Sequence, residues 1–547
     1  MRHIRVLSLS AIILTVFWCF PTGVQASALY VPSEYRTIQD AIDAAASGDV
    51  VCVGVGAFNE ALVLKEGVTL LGSGRSRSVV DAGADAIAIQ AAQGSRVSGL
   101  SIEEGIIGID CKGADVVIEN NYIQSRYVGI RSENTSPQIF NNSIDAVYVC
   151  IMAKGSGAPI IYNNEITGRY VGIWAENISP LVRNNRIAGF EHGIYTIASN
   201  GYILNNKVIN SLYDGVVVTR GSSCMLSNNA IIDHYERGVS VFDSSPQLQY
   251  NIIAQNEIGL FCQDSSPTLT QNCIASNRES DYEGISPGVT DMTSDPLLVG
   301  VGLVSSISGA NYDTLVCTDA HWTTDSLVGL DLVPNTTGMY IIYGGQSRTF
   351  EVLSNTRTSI KVAVDTSEDN YKTLFKCGTT EDYTKAGDTF FVDDVHVQTT
   401  GAGWPSDSPC LAGGLGIYGG EYGGDAGLLN APLVSLSSVE QVYKTNQTVN
   451  ITADLSNDQS EPIDADLHIV GFIDGSSTFY AYPNWTLGFN AVPYSLTAYQ
   501  SETIPVLVIP AAAVPPVDFK ILAAFTKRGT FELISPISEL WFSIKGD

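Results

Sequence analysis

The sequence predicts an all-β fold dominated by a parallel β-helix whose coils each contain three short strands. A nine-residue pattern, seen as SPQIFNNSI at residues 136–144, returns as APIIYNNEI and SPLVRNNRI. Its copies follow one another at intervals of 21 to 23 residues, which is too short for a helical repeat of about 34 residues. Within each copy, short apolar stretches alternate with Asn, Gly, Ser and Pro, the composition of strands separated by turns.

Two columns of residues run through the repeat, one of asparagine and one of glycine. The asparagine column contains Asn121, Asn142, Asn164, Asn185, Asn206, Asn229, Asn251 and Asn272. The glycine column contains Gly108, Gly129, Gly172, Gly193, Gly215, Gly238 and Gly259, and Cys150 replaces glycine in one coil. Because equivalent residues of successive coils stack about 4.8 Å apart, we expect the asparagines to hydrogen-bond one another as a ladder within a turn.

An open stack of coils leaves an exposed edge at its first coil, and the sequence contains a segment that can cover it. Thr37 and Asp40 form a capping-box-like pair. Gly48 ends the segment. We therefore expect a short amphipathic helix at the N-terminal end, with an apolar face formed by Ile38, Ala41, Ile42 and Ala45.

Residues 1–28 are predicted to be a signal peptide. Arg2 and Arg5 precede an apolar run, and Ala26-Ser27-Ala28 provides a cleavage site. No later stretch approaches the roughly 20 apolar residues of a transmembrane helix. The sequence therefore predicts a protein that is secreted or exposed at the cell surface, with the periplasm as an alternative compartment.

The composition is strongly acidic. The formal net charge is −28, from 29 basic and 57 acidic residues. Nucleic-acid binding requires a basic surface, so nucleic acid is not an expected partner. A polyanionic polysaccharide would be repelled unless cations or local arginines neutralised it, so the charge favours a neutral or weakly charged glycan. No cofactor is predicted; calcium and the oligomeric state are left open.

The cysteines are predicted to be mostly buried thiols. Six of them lie before residue 300, where the repeat otherwise has small or apolar residues: Cys52, Cys111, Cys150, Cys224, Cys262 and Cys273. The sequence contains no C-x-x-C pair, so no zinc site is expected, and free cysteine packs like a small hydrophobic residue. Cys317 and Cys377 are predicted to form a disulfide.

The stretch TIQDAIDAAASGDVVCVGVGAFNEALVLKEGVTLLGSG, followed by repeats of the form xGIxxxxxSPxIxxNxI, resembles the right-handed parallel β-helix proteins of the pectin-lyase-like superfamily. The resemblance covers residues 30–302 and is closest to the subset with NosD-type and carbohydrate-binding or sugar-hydrolase repeats. It implies a right-handed helix whose fold serves hydrolases, lyases, esterases, epimerases and non-catalytic binders. The motifs of those enzymes are incomplete or missing, and the five methionines and six histidines show no cluster suited to copper.

Downstream of the repeats the pattern changes twice. Asp295-Pro296-Leu297 and Asp394-Val395-His396-Val397 resemble neighbouring parts of a terminal coil but lie far apart in the chain. The predicted domains are a β-helix at 29–302, an inserted small β-domain at 303–392, a return to the last coil with a glycine-rich linker at 393–430, and a C-terminal domain at 431–547. The longer alternating strands of the last domain suit an immunoglobulin-like β-sandwich.

Aromatic and charged residues flank the glycine column and form a candidate substrate-binding surface, which we call the stripe. Its predicted binding residues are Arg126, Tyr127, Arg131, Tyr148, Arg169, Tyr170, Trp174, Tyr195 and Tyr213. Stacked coils would place them along one side of the helix at a spacing close to the length of a sugar ring, so that rings contact sugars and charges bond hydroxyls. A self-stacking tyrosine ladder that only stabilises the solenoid is the alternative interpretation.

Four residues on three consecutive coils of the stripe are candidate catalytic groups: Glu191, His192, Asp214 and Glu236. Neighbouring coils could place two carboxylates at the separation of about 5 to 9.5 Å that glycosidases use, although an acidic chain also produces such clusters by chance. Two functions follow. The sequence favours a secreted or surface carbohydrate-binding protein, because no complete catalytic motif is present, and the alternative is a polysaccharide hydrolase or lyase with its site on the stripe.

Overall fold

A computed structural model of the chain describes nearly all of the β-helix and separate strands beyond it. The described residues are 27–75, 77–296, 298–308, 314–318, 327–328, 331–335, 350–363, 389–397, 433–438, 442–444, 447–456, 463–473, 479–487, 492–496, 501–511, 517–528 and 538–545. The predicted signal peptide, except for its last two residues, and the glycine-rich linker from 398 onward lie outside them. No helix in these ranges is long and apolar enough to span a lipid bilayer.

Parallel strands form three sheets, named A, B and C, which build a right-handed β-solenoid of about 12 turns. Sheet A contains Ala28–Val31, Val50–Val53, Thr69–Gly72, Arg96–Ser98, Val117–Glu119, Gln138–Phe140, Ile160–Tyr162, Leu181–Arg183, Tyr202–Leu204, Met225–Ser227, Gln247–Gln249 and Thr268–Thr270. Sheet B contains Gly56–Phe58, Ser78–Asp81, Ser101–Glu103, Tyr122–Ser125, Ser143–Ala146, Glu165–Gly168, Arg186–Ala188, Lys207–Ile209, Ala230–Ile232, Ile252–Ala254 and Cys273–Ala275. Sheet C contains Leu62–Val63, Ile87–Gln90, Ile107–Asp110, Val128–Glu133, Val149–Lys154, Val171–Glu176, His192–Ile197, Asp214–Thr219, Arg237–Phe242, Ile258–Gln263 and Ser280–Glu283. The predicted right-handed parallel β-helix of three-strand coils is confirmed.

The described residues divide into two compact units. One contains those of 1–105, 114–122 and 428–547, and the other contains those of 106–113 and 123–427. All predicted site residues lie in the second unit. The domain boundaries given above stay predictions.

The predicted capping helix is present as Ile38–Ala44, in the first unit. Thr37 is its N-cap, since its side chain accepts a hydrogen bond from the backbone N–H of Asp40 at 3.0 Å. The carboxylate of Glu60 accepts the N–H groups of Ile38 and Gln39, each at 3.0 Å. Glu60 therefore satisfies the first backbone donors of the helix.

The asparagine ladder is confirmed. Oδ1 of Asn185 accepts both the backbone N–H and Nδ2 of Asn164 at 3.0 Å, and Oδ1 of Asn206 accepts the same two groups of Asn185 at 3.0 Å. Nδ2 of Asn185 also donates to the carbonyls of Ile161 and Arg183. The first asparagine of each Asn-Asn pair forms the turn, and the side chains of two of them, Asn205 and Asn184, are joined by a hydrogen bond from Nδ2 to Oδ1 at 2.7 Å. Asn184, like its counterparts, adopts a φ of 54°, a left-handed conformation that asparagine tolerates better than most residues.

The glycine column is required by the close approach of successive coils. A Cβ on Gly172 would lie 2.5 Å from the carbonyl oxygen of Gly193 and 2.7 Å from Cγ2 of Ile187, so a side chain could not be added without moving the backbone. Cys150 breaks the column, and the adjacent residue of sheet B in the next coil is Gly168. A Cβ on Gly168 would lie 3.2 Å from the sulfur of Cys150, so a second glycine provides the space for the thiol.

The described strands of the predicted insertion belong to a seven-stranded antiparallel sheet, which also includes flanking residues. Its strands are Leu298–Leu303, Ser306–Ser308, Thr314–Val316, Asp331–Asn335, Phe350–Asn355, Ser359–Val362 and Thr389–Val397. Leu303 pairs with Thr389, so the two ends of the segment are adjacent. Residues 393–397 belong to the strand Thr389–Val397, which pairs with Leu298–Leu303 in this antiparallel sheet. The sequence led us to expect residues 393–397 in a parallel coil. They lie in the antiparallel sheet because the two strands that close the insertion pair with each other.

Two further sheets lie in the C-terminal part of the first unit. One contains Leu433–Ser438, Thr448–Ser456 and Ser501–Pro510. The other contains Val442–Lys444, Ile463–Ile473, Phe479–Ala481, Thr486–Leu487, Val492–Leu496, Val517–Lys527 and Ser538–Lys545. Side chains of both sheets, such as Ile451 and Phe525, share one hydrophobic core. An immunoglobulin-like topology stays a prediction.

The cysteines behave largely as predicted. All six in the β-helix are buried, and burial raises the pKa of Cys224 and Cys262 to about 11, so both remain protonated packing groups. Cys377 lies outside the described residues, and its disulfide with Cys317 stays a prediction.

Substitution of a mid-stack asparagine tests the ladder. Asn185→Leu removes the acceptor of two donors of Asn164 and leaves the carbonyl of Ile161 without its amide partner. Each buried group left unpaired costs about 1 to 3 kcal/mol, so we expect a lower free energy of unfolding, measured by urea denaturation. An unchanged midpoint with an unchanged slope would contradict the ladder's contribution to stability.

Candidate functional site

The stripe lies along the strands of sheet C and along the turns that lead from sheet B into them. Residues two positions before the glycine column form what we call the turn column: Tyr127, Tyr148, Tyr170, Glu191, Tyr213, Glu236 and Glu257. Backbone hydrogen bonds connect this column between coils, for example from Tyr213 N to Glu191 O at 2.9 Å and from Glu236 N to Tyr213 O at 3.2 Å. The backbone therefore fixes one side chain per coil at a constant spacing.

The tyrosines of the turn column stack on one another. The ring centroids of Tyr127 and Tyr148 are 4.5 Å apart with an interplanar angle of 4°, and those of Tyr148 and Tyr170 are 5.6 Å apart and tilted by 52°. Both faces of Tyr148 are thus next to neighbouring rings. Self-stacking, which the sequence left as the alternative interpretation, does occur, and a ligand would meet ring edges and hydroxyls along the middle of the stack.

The same turns carry an exposed apolar surface. Tyr127 is 46% exposed and Tyr213 is 37% exposed. Ile106 holds the same position in the coil before Tyr127 and is 39% exposed, and the preceding position adds Val147 and Tyr235, which are 46% and 41% exposed. A row of exposed apolar side chains at one corner of a solenoid is unusual for a surface without a partner, and such rows mark binding surfaces.

A second aromatic pair lies beside the turn column, on the strands of sheet C. Trp174 and Tyr195 stack with centroids 5.2 Å apart and an interplanar angle of 11°. Lys154 lies 5.4 Å from the centroid of Trp174, and Glu176 is 3.1 Å from the Lys154 ammonium and accepts from Trp174 Nε1 at 3.3 Å. The pair is therefore held in place by its own neighbours and is only half-buried.

The predicted arginines have partners within the protein. Arg131 forms an ion pair with Asp110, and its Nε donates to Asp110 Oδ1 at 3.0 Å. The guanidinium of Arg169 lies 5.0 Å from the centroid of Tyr170, and Arg126 is exposed. Because Arg131 is paired with Asp110, its positive charge is largely neutralised within the protein.

The predicted catalytic residues come together around Asp214, which is only 5% exposed. Nδ1 of His192 lies 3.1 Å from Asp214 Oδ2, and Nη1 of Arg237 lies 3.8 Å from Asp214 Oδ1. Ser240 donates a hydrogen bond from Oγ to Asp214 Oδ1 at 2.6 Å. The ring of His192 also contacts Tyr213, with centroids 5.5 Å apart. Because Asp214 faces Nδ1, the His192 Nε2 is the ring nitrogen left for a ligand.

Glu191 and Glu236 flank this cluster. Burial raises the pKa of Glu191, against the opposing charges of His192 and Arg169. Burial and then the charge of Asp214 raise the pKa of Glu236, and Arg237 opposes this shift. A carboxyl with a raised pKa holds its proton at higher pH than usual, as a general acid or a hydrogen-bond donor requires.

His234, which the sequence places near the same coils, belongs to a second ladder and not to the site. Its Nδ1 accepts the N–H of Ser211 at 2.9 Å, its Nε2 lies 3.1 Å from the carbonyl of Val208, and its own N–H donates to Asn256 Oδ1. Burial lowers the pKa of His234 to about 3. The ring is therefore a neutral structural group.

Ser240 and Arg237 are the residues of the cluster that sequence reasoning missed. Ser240 lies two residues after Gly238, in the same column as Arg131, Trp174 and Tyr195. In this column the aromatic residues Trp174 and Tyr195 are followed by smaller residues, so a search for aromatic sugar-binding side chains does not extend to Ser240. Arg237 precedes the glycine column by one residue, in register with Asp214, and that alignment was the available signal.

The coils and their two columns define a right-handed parallel β-helix protein. Two family models match within it: "Right handed beta helix region" over residues 150–294 and "Periplasmic copper-binding protein (NosD)" over residues 42–211. A comparison with curated proteins found no match.

Solved structures similar to this chain include three enzymes or depolymerases that act on polysaccharides. An alginate lyase from Paenibacillus sp. str. FPU-7 is 13% identical, with a TM-score of 0.33, and the match covers 47% of this chain and 98% of that one. A tailspike protein of the Acinetobacter baumannii bacteriophage Fri1, a capsular polysaccharide depolymerase, is 13% identical, with a TM-score of 0.31 and coverage of 69% and 86%. The catalytic unit of an α-1,3-glucanase from Streptomyces thermodiastaticus is 14% identical, with a TM-score of 0.27 and coverage of 50% and 71%. At these identities the similarity concerns the fold alone.

The copper named by the second family model does not fit the side chains seen here. Among the described residues, no group of three or more His, Cys, Asp and Glu side chains is arranged to hold a metal ion. Both ring nitrogens of His234 are engaged in the ladder, and Nδ1 of His192 faces Asp214. Met152 and Met225 lie in different sheets. We therefore derive no function from copper.

The pKa of Glu191 is raised and that of Glu176 is lowered, so their substitution by glutamine should change thermal stability in opposite directions at neutral pH. Because burial disfavours the charge of Glu191, Glu191→Gln should unfold at the same or a higher temperature than the unchanged protein at neutral pH. This difference should vanish below the usual glutamate pKa of 4.5, where the carboxyl is protonated in the folded and unfolded chains. Calorimetry across this range measures it.

Glu176→Gln is the matched control. The hydrogen bond from Lys154 lowers the pKa of Glu176, so its charge stabilises the fold above its unfolded pKa. The control should therefore unfold at a lower temperature at neutral pH and lose that difference as the pH falls through the lowered pKa. Equal destabilisation by both substitutions at neutral pH would contradict the burial effect at Glu191.

Proposed function

We propose that the β-helix is an exported polysaccharide-binding structure that holds a glycan chain along the turn column. The observation that carries the proposal is the row of exposed side chains at one corner of the solenoid, with Tyr127 and Tyr213 as the most exposed tyrosines of the turn column. Tyrosine combines a large rigid contact area with a hydroxyl that bonds sugar hydroxyls. A regular row of such groups suits a polymer with a regular repeat.

The stacking of the rings determines the kind of contact. Within the stack, neighbouring rings occupy the faces of Tyr148, so a sugar there contacts ring edges and hydroxyl groups. Tyr213 lies one coil beyond Glu191 and contacts His192, outside the run that links Tyr127 to Tyr170. The two ends of the row therefore offer more ring surface to a ligand than its middle does.

The charges of the stripe favour a neutral glycan. Arg131 pairs with Asp110, Lys154 pairs with Glu176, and the His192 ring lies against Asp214. These pairs leave the carboxylates of the turn column to face a ligand, and an anionic polymer would be repelled. An extracellular, cell-surface or periplasmic location, which the predicted signal peptide supports, would bring such a protein into contact with glycans.

Binding can be tested with two tyrosine variants that differ in position and share a similar exposure. Tyr127→Ala should reduce affinity for the glycan identified on an array by about fivefold or more, the equivalent of roughly 1 kcal/mol, with little change in thermal stability. Tyr202→Ala, which removes a 52% exposed tyrosine of sheet A, should leave affinity unchanged. A fall in melting temperature without any glycan binding by the unchanged protein would favour the purely structural ladder.

Polysaccharide cleavage by a hydrolase or lyase is the second candidate, and one observation favours it. His192, Asp214, Glu191 and Glu236 surround one point of the turn column where glutamate replaces tyrosine. In this function Asp214 orients the His192 ring, Glu191 or Glu236 donates a proton to the glycosidic oxygen as that bond breaks, and the other glutamate, as a carboxylate, activates the water that adds to the anomeric carbon.

This candidate predicts that the bound glycan is cut. Reducing ends or unsaturated products should accumulate with the unchanged protein, and His192→Ala should abolish them while affinity for the glycan persists. A glycan that stays intact after prolonged incubation would remove the catalytic function and leave binding.

A further inference from the structure

The spacing of the stripe carries information about the ligand, provided that the proposed glycan binding is correct. Aromatic rings on neighbouring coils stack, with centroids 4.5 Å apart for Tyr127 and Tyr148 and 5.6 Å for Tyr148 and Tyr170 in the turn column, and 5.2 Å for Trp174 and Tyr195 beside it. These values follow the strand spacing of about 4.8 Å, because hydrogen bonds between coils fix the backbone of each turn.

We infer that the ligand is an extended, β-1,4-linked polymer of neutral pyranose sugars that lies parallel to the helix axis with one sugar per coil. A fully extended β-1,4 chain advances by about the length of one sugar ring per residue, so its sugars stay in register with the coils. Chains of α-1,4-linked or β-1,3-linked glucose wind into helices, and their sugars leave a straight row after one or two residues.

The length of the row sets the number of sugars. The turn column contains Tyr127, Tyr148, Tyr170, Glu191 and Tyr213 on five successive coils. The next two members are Glu236 and Glu257, which place acidic side chains on two consecutive coils. The five coils from the first tyrosine to the last therefore accommodate five sugars.

The same carboxylates exclude a charged polymer. Glu191, Glu236 and Glu257 occupy the C-terminal half of the column, and the chain as a whole is strongly acidic. Uronic acids along the row would place carboxylates beside these groups, where Arg169 and Arg237 offset only part of the negative charge at Glu191 and Glu236, and like charges at such distances are unfavourable. Sugar hydroxyls, in contrast, can donate to the carboxylates.

Titration calorimetry with oligosaccharides of increasing length tests the inference. The probes are cello-oligosaccharides and manno-oligosaccharides from disaccharide to octasaccharide, with malto-oligosaccharides and laminari-oligosaccharides as helical counterparts. We expect the affinity of at least one β-1,4 series to rise with each sugar up to the pentasaccharide and then to stay constant. Neither helical series should show such a rise.

Tyr127→Ala adds a test of register. It removes the first position of the row, so the affinity of the pentasaccharide should fall to that of the tetrasaccharide, whereas a disaccharide or trisaccharide can bind elsewhere in the row and should be unaffected. Tyr202→Ala on sheet A is the matched control and should leave every length unchanged.

The outcomes separate this inference from the proposed function. Binding of a helical series that depends on Tyr127, or affinity that does not depend on length, would overturn the one-sugar-per-coil model and leave glycan binding in place. Absence of binding by all four series would overturn this inference, and the glycan array with the unchanged protein then decides the proposed function separately. A length limit at the pentasaccharide that Tyr127→Ala shortens by one sugar would support both.

Discussion

The hydrogen bonds between the asparagines of successive coils are the constraint on which the rest of the structure depends. Each asparagine directs its backbone N–H and one amide hydrogen toward the next coil, so a coil cannot shift at this corner without leaving buried donors unpaired. The series ends at Asp291, which accepts from Asn272, and a second series ends at Asp281, which accepts from Asn277. Both therefore end on a carboxylate, a group that accepts hydrogen bonds without offering a donor to a further coil.

Because the register between successive coils is fixed, the outer surface of the β-helix repeats from coil to coil. Once the backbone of every turn is held, a residue type that recurs in one column is presented at the coil spacing, whether it is an aromatic ring, as in the turn column, or an alternating charge, as in the pair of Lys154 and Glu176. Stacking then follows, because adjacent rings at this distance attract one another. A surface of this kind matches a ligand that itself repeats.

Column positions explain how much of the molecule could be predicted from its sequence. In a stack, residues in the same column are neighbours, so the fold, the asparagine ladder and the closeness of His192 to Asp214 followed from alignment of the repeats alone. The hydrogen bond from Ser240 to Asp214 joins two different columns on adjacent coils, and it depends on side-chain rotamers that an alignment does not contain. Glu60 likewise reaches a helix outside the repeat, and nothing in its own coil indicates that contact.

The same side chains around Asp214 would serve both proposed functions, glycan binding and glycan cleavage. A carboxylate that is 5% exposed requires compensation, and Ser240, His192 and Arg237 provide it. The same contacts restrict the His192 ring and, through it, the position of Tyr213. A sugar at this coil would therefore meet an imidazole next to Asp214 and a Glu191 carboxyl whose pKa is raised by burial. Hydrogen bonds from these groups to a glycosidic oxygen would hold the chain, whereas its cleavage would also require a proton donated to that oxygen and a water molecule that adds to the anomeric carbon, so the two functions share these contacts and differ in the activation of water.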